Sequence, residues 1–189
     1  MTGARLYSRE ALQEACNRGL DLEFLFFWGH TPKADAEVGP WVFSQWFPTP
    51  FDVDGVSYPT AEHFMMAEKA RLFDDPAMLD AILDADSPRD AKAFGRKVAG
   101  FDQETWKAHR FEIVTRGSVA KFSGTPELRD YLLGTGDWVL VEASPRDIIW
   151  GIGYGASNPK ALDPNQWRGR NLLGFALMKA RDELAAAAP

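Results

Sequence analysis

Apolar positions change period several times along the chain, and those changes predict its elements. From Ser8 to Arg18 the residues Leu12, Ala15 and Cys16 share one helical face, with Ser8 as cap, Glu10 in the first turn and Gly19 as the stop. Leu22 to Trp28 is a short apolar run rich in aromatics, which predicts a strand with a buried end at Gly29. A polar loop covers His30 to Pro40. Trp41 to Phe47, followed by Pro48 and Pro50, reads as short extended pieces leading into a hairpin. In it Phe51 to Val53 faces Val56 to Tyr58 across the Asp54-Gly55 turn.

Beyond Pro59 the period is helical as far as Leu133, with Gly and Pro confined to boundaries. Helices are predicted at Thr60 to Phe73, Pro76 to Ala85, Ser87 to Gly95, Asp102 to Phe122 and Pro126 to Leu133. Trp138 to Glu142 predicts a strand, Asp147 to Trp150 opens an irregular Gly-rich segment, and Asn171 to Leu184 is a last helix. No repeat or low-complexity linker interrupts the pattern. The expected fold class is α+β: a single mainly helical domain with a small β-sheet.

Composition narrows the functional classes. With 189 residues the chain can bury a sizeable core without disulfides or a structural metal, and its one cysteine, Cys16, forms no CxxC pair. Neither an apolar segment after Met1 nor a long apolar run is present, so the expectation is a cytoplasmic protein with no membrane contact. A net charge of -6 removes the bulk attraction on which sequence-independent nucleic-acid binding relies, while leaving room for a local basic pocket. Seven Trp and thirteen Phe exceed what a small core needs, and such rings also stack on bases and sugars.

Three segments carry candidate chemistry. In Tyr58 to Lys69, Pro59 and Thr60 mark a helix start, so Glu62 falls in the first turn, where the dipole favours its ionised form. Glu62, Met66, Lys69 and Phe73 then share a stripe, with the two charges roughly 10 Å apart along the axis, suited to holding two ends of one ligand. Read alone, the pair fits a dipole-complementing acid and a solvated lysine. In Glu142 to Gly155, a strand end delivers Asp147, Trp150 and the alternating glycines 151, 153 and 155, a backbone costly to order unless something approaches it closely. Asp147 as a turn cap and Trp150 as a core anchor remain open. The glycines miss the dinucleotide fingerprint, since Ala156 stands where its last Gly would fall. In Trp167 to Gly174, Asn171 reads as an N-cap, and Arg168 and Arg170 flank a helix start able to attract an anion. His30, His63 and His109 lack metal-ligand spacing, and no serine sits in a GxSxG elbow.

The ordered segments Phe26 to Trp28, Phe43 to Phe51 (FSQWFPTPF), Tyr58 to Phe64 (YPTAEHF), Lys69-Ala70, Lys121-Phe122, Glu142 to Gly153 (EASPRDIIWGIG) and Trp167 to Gly174 (WRGRNLLG) resemble the NADAR family, which includes the YbiA-like N-glycosidases. The similarity runs from about Phe24 to Leu184, which implies an N-terminal helical extension over residues 1–23 and a NADAR domain over 24–185. The resemblance implies hydrolysis of an N-glycosidic bond between ribose and a nitrogen base. The substrate is then a phosphorylated ribosyl intermediate of riboflavin synthesis, or ADP-ribose attached to guanine in nucleic acid. Glu62 falls on the family's Glu-His motif and Asp147 and Trp150 on its Asp-x-x-Trp-Gly motif, which implies catalytic roles for Glu62 and Asp147. Trp28 and Trp150 are implied in stacking on the base and Lys69 and Arg96 in binding phosphate, with Ser44, Gly151 and Asn171 completing the substrate-binding set. No metal or cofactor is expected. Gln45, where YbiA-like members tend to have Asn, and the long His30 to Val42 loop depart from the pattern and bear on the substrate. The alternative from another class is a module that binds NAD-derived ADP-ribose without turnover, which would not depend on Glu62.

Overall fold

A computed structural model describes residues 6–32 and 37–187; the tip of the polar loop expected at His30 to Pro40, and the first residues of the N-terminal extension, lie outside the described residues. The fold is α+β, with the helices and strands in two compact units, residues 1–44 with 130–189 and residues 45–129. Among the described residues no helix is long and apolar enough to cross a membrane.

The first unit opens with helix α1 (Arg9–Asn17), capped by the Ser8 hydroxyl, which accepts from the Ala11 N–H. Strand β1 (Phe24–Phe27) then pairs in parallel with a strand from the far end of the chain, β4 (Val139–Glu142), in the register Phe24 to Val139 and Phe27 to Glu142. A parallel pair cannot close through a tight turn, and here the whole second unit is the intervening chain. Helix α7 (Leu172–Ala186) packs on β4, and Val139 to Val141 are buried. The extended conformation expected from Trp41 is replaced by a 3-10 turn, Pro40–Phe43, because Pro40 takes the first helical position. Its Phe43 ring stands edge-on to Phe27 at 5.4 Å between centroids. Trp138, just before β4, is 42% exposed, whereas Trp167 is buried and donates from its indole N–H to the Ala161 carbonyl.

The second unit begins with the hairpin read from Asp54-Gly55: β2 (Phe51–Val53) and β3 (Val56–Tyr58) pair antiparallel, and both turn residues have positive φ. Five helices are predicted from here to Leu133; four of them belong to this unit, α2 (Ala61–Leu72), α3 (Pro76–Leu83), α4 (Pro88–Gly95) and α5 (Gln103–Ser123). The fifth, α6 (Pro126–Gly134), bridges residue numbers 129 and 130 where the units divide. Each of α2 to α5 starts at a side-chain cap, Thr60, Asp75, Ser87 and Asp102. Helix α2 packs on α3, α4 and α5, and its residues from Ala61 to Ala67 are all buried. A helix surrounded in this way buries its polar residues with its apolar ones, so each needs a partner.

Candidate active site

His63 shows how α2 meets that demand. Its Nε2 lies 3.1 Å from the Ala85 carbonyl, which only accepts, so Nε2 carries the proton and Nδ1 accepts from the Thr60 hydroxyl at 2.8 Å. Burial holds the ring below its ordinary pKa, in keeping with a neutral imidazole that joins two helix ends.

Glu62 is buried to 2% exposure in the first turn of α2, as the Pro59-Thr60 start predicts. Its backbone N–H donates to the Gln45 carbonyl at 2.9 Å, and Oε2 accepts from the Trp46 indole N–H at 3.2 Å. Oε1 lies 3.5 Å from the Lys92 ammonium on α4, which also stands over the Trp46 ring at 5.9 Å. A carboxylate so deeply placed is stable as an ion only with such company. Trp46 belongs to the FSQWFPTPF segment and carried that signal in the sequence; Lys92, thirty residues from Glu62, carried none.

The stripe expected to present Glu62 and Lys69 to one ligand instead faces α4. Lys69 donates to the Gly95 carbonyl at 2.7 Å and sits 4.2 Å from the centre of the Phe101 ring, and burial lowers its pKa. Between the two charges, Met66 lies so near Gly95 that a Cβ there would fall 2.1 Å from its sulfur. A side chain at position 95 would have to displace Met66, so glycine suits this close helix crossing. Arg96, at the C-cap of α4, is exposed.

The other expected site residues lie in the first unit, near the C-terminal ends of β1 and β4. Trp28 follows β1 and is 59% exposed, while Ser44 follows the 3-10 turn. After β4 the chain loops out and returns, with the Ile152 N–H donating to the Glu142 carbonyl. Asp147 Oδ1 accepts from the N–H groups of Ile149 and Trp150, both at 2.8 Å, so one of its oxygens shapes this loop. Gly151 is buried where an added Cβ would meet the Glu142 carbonyl at 2.9 Å, and Trp150 and Gly151 accept through their carbonyls from Leu173 and Asn171. Ile148 and Ile149 at the loop are exposed.

Asn171 differs from its reading as a side-chain cap. It occupies the N-cap position with φ 54°, but its side chain makes no capping bond. The amide instead runs along β4, donating to the Leu140 carbonyl and accepting from the Glu142 N–H, both at 2.9 Å, and the residue has no exposed surface. Its chemistry is committed to the strand. Arg168, three residues before it, lies over the Tyr154 ring at 4.8 Å.

Among the described residues no group of three or more His, Cys, Asp or Glu is arranged to hold a metal ion. What the second unit provides is a buried carboxylate, an indole N–H and an ammonium converging on one another.

The chain is 42% identical over 166 residues to N-glycosidase R617 of Acanthamoeba polyphaga mimivirus, covering 85% of this chain and 96% of that one. It is 32% identical over 143 residues to N-glycosidase YbiA of Escherichia coli, covering 76% and 81%. A chloroplastic riboflavin biosynthesis protein PYRR of Zea mays is 34% identical over 143 residues, which span 72% of this chain and 21% of that protein. The NMR structure of E. coli YbiA superimposes with a TM-score of 0.66 at 28% identity, over 88% of each chain. The family model described as NADAR domain matches residues 26–185. The chain belongs to the NADAR domain family.

Proposed function

We propose that the chain is an N-glycosidase that hydrolyses the bond between the anomeric carbon of a ribosyl group and a base nitrogen, with Glu62 as the catalytic carboxylate. The supporting observation is the placement of Glu62: buried, at a helix start, fixed by the Trp46 indole and accompanied by Lys92. As the C–N bond breaks, its electron pair leaves with the nitrogen and positive charge builds on the sugar. A carboxylate held in place before the reaction stabilises that charge without reorganising. Water adds its oxygen to the anomeric carbon, and the proton it sheds passes through the carboxylate to the departing nitrogen. The products are the free ribosyl sugar and the base with its N–H restored.

The relatives named N-glycosidase support the reaction class, and the riboflavin-pathway relative supports a ribosylamino-pyrimidine. We take the substrate to be a ribosyl compound phosphorylated on its 5′ oxygen, a feature shared by a ribosylaminopyrimidine 5′-phosphate and by ADP-ribosylated guanine. Arg96 contacts the phosphate in this reading. A chain with one cysteine suits the reducing cytoplasm where such metabolites occur.

The test is incubation with 5-amino-6-ribosylaminouracil 5′-phosphate and with DNA carrying ADP-ribosylated guanine. Wild type should release base from at least one, and Glu62→Gln should lose about 100- to 1,000-fold or more in kcat. Binding without release by wild type, or full release by Glu62→Gln, overturns the reading.

A further inference from the structure

Lys92 stabilises Glu62 at rest and opposes it during the reaction. A buried carboxylate needs a counter-charge, and the ammonium 3.5 Å away supplies it. The same ammonium weakens what Glu62 can do for a sugar that is becoming positive. It neutralises the carboxylate and repels the new charge, at a range where even partly screened charges interact by several kcal/mol. Productive chemistry therefore requires Lys92 to move off Glu62. The side chain is free to do so: it is 36% exposed and ends a flexible stem on the rim of α4.

The sequence of α4 sets further cations beside it. Arg89, Lys92 and Arg96 are spaced three and four apart, so they share one helical face, and both arginines are exposed. Asp90, the acid on the same helix, is turned back to the Ser87 hydroxyl at 2.6 Å. Lys92 and Arg96 stand about 6 Å apart along the axis, a gap that an anion can bridge by contacting both. We infer that the 5′-phosphate of the substrate draws Lys92 away from Glu62 and holds it together with Arg96, so that Glu62 is released for catalysis only when a phosphorylated ribosyl compound is bound. This rests on the N-glycosidase reading above. It makes Lys92 a positioning residue that converts recognition of phosphate into turnover.

The experiment compares one ribosyl substrate with and without its 5′-phosphate, on wild type, Lys92→Met, Lys92→Arg and Arg96→Gln. Calorimetric titration with ribose 5-phosphate and thermal unfolding accompany each variant. For wild type, removing the phosphate should lower kcat itself by about 100-fold, beyond any rise in KM. In Lys92→Met the kcat ratio between the two substrates should shrink to within about threefold, because nothing remains to be drawn off Glu62. Lys92→Arg, which keeps both the ion pair and the phosphate contact, should restore the ratio, which a merely structural role would not require. Arg96→Gln should raise KM for the phosphorylated substrate, and both Lys92→Met and Arg96→Gln should weaken ribose 5-phosphate binding. A wild-type kcat indifferent to the phosphate, or a ratio preserved in folded Lys92→Met, overturns the inference. If Glu62→Gln still abolishes release in that case, the N-glycosidase reading stands and only the role of Lys92 falls. Full release by Glu62→Gln overturns both.

Discussion

Replacing Lys121 with Met removes an ammonium from one of the most enclosed positions in the second unit. Lys121 lies in the last turn of α5, 1% exposed, with its nitrogen 5.3 Å from the centre of the Phe122 ring and 5.7 Å from that of Phe47. Burial lowers its pKa to about 7, from an ordinary value near 10.4. Between these values the unfolded chain binds a proton that the folded chain does not, so stability rises with pH across the window and the benefit is lost as pH falls toward 7. At 1.36 kcal/mol per pH unit, the full interval is worth about 5 kcal/mol, and the span from pH 7 to 9.5 about 3 kcal/mol. The assay is urea unfolding of wild type and Lys121→Met under reducing conditions at several pH values between 7 and 9.5. Three other groups titrate near this range. Cys16 and Tyr131 have raised pKa values, which erode stability on the alkaline side, whereas Lys69, with a lowered one, acts in the same sense as Lys121. The difference between the two proteins cancels all three. Met should be the more stable residue at pH 7, and its advantage should shrink by about 3 kcal/mol at pH 9.5. A stability difference that does not change with pH would refute the reasoning.

Three further outcomes follow from the geometry. Asp147→Ala should cost about 1–2 kcal/mol by removing the acceptor for two loop N–H groups, and Asp147→Asn clearly less, since it keeps an oxygen there; equal losses in urea unfolding would remove Asp147 from the loop's support. Asn171→Ala should cost about 3 kcal/mol, because it leaves Leu140 and Glu142 backbone groups without their amide partner and sets alanine at positive φ; a loss under 1 kcal/mol would contradict that role. The lowered pKa of His63 means that the unfolded chain protonates first as pH drops below about 6.5, so stability should fall there; His63→Gln should flatten the wild-type slope between pH 6.5 and 5, and an unchanged slope would exclude His63 as its source.

Where the determining chemistry is local, the sequence was legible. Asp54-Gly55 names its own turn, and Thr60 caps α2 because its hydroxyl meets an N–H three residues on, so the setting of Glu62 followed from neighbours within one turn. Partnerships across the chain were not. Lys92 reaches Glu62 across a crossing where Gly95 lies close against Met66, and no periodicity in either helix encodes that crossing. Asn171 has the residue type and position of a cap, yet its amide bonds two backbone groups of β4 instead of its own helix. Trp41 to Phe47 has strand-like composition, but Pro40 starts a helical turn.

The pairing of β1 with β4 also sets a timetable for the growing polypeptide. Phe24–Phe27 emerges from the ribosome long before its partner exists, and the whole segment 45–129 is made in between. At roughly 5–20 residues per second, this aromatic strand waits on the order of ten seconds for β4. During that interval the backbone groups that will pair with β4 are open to any other extended chain.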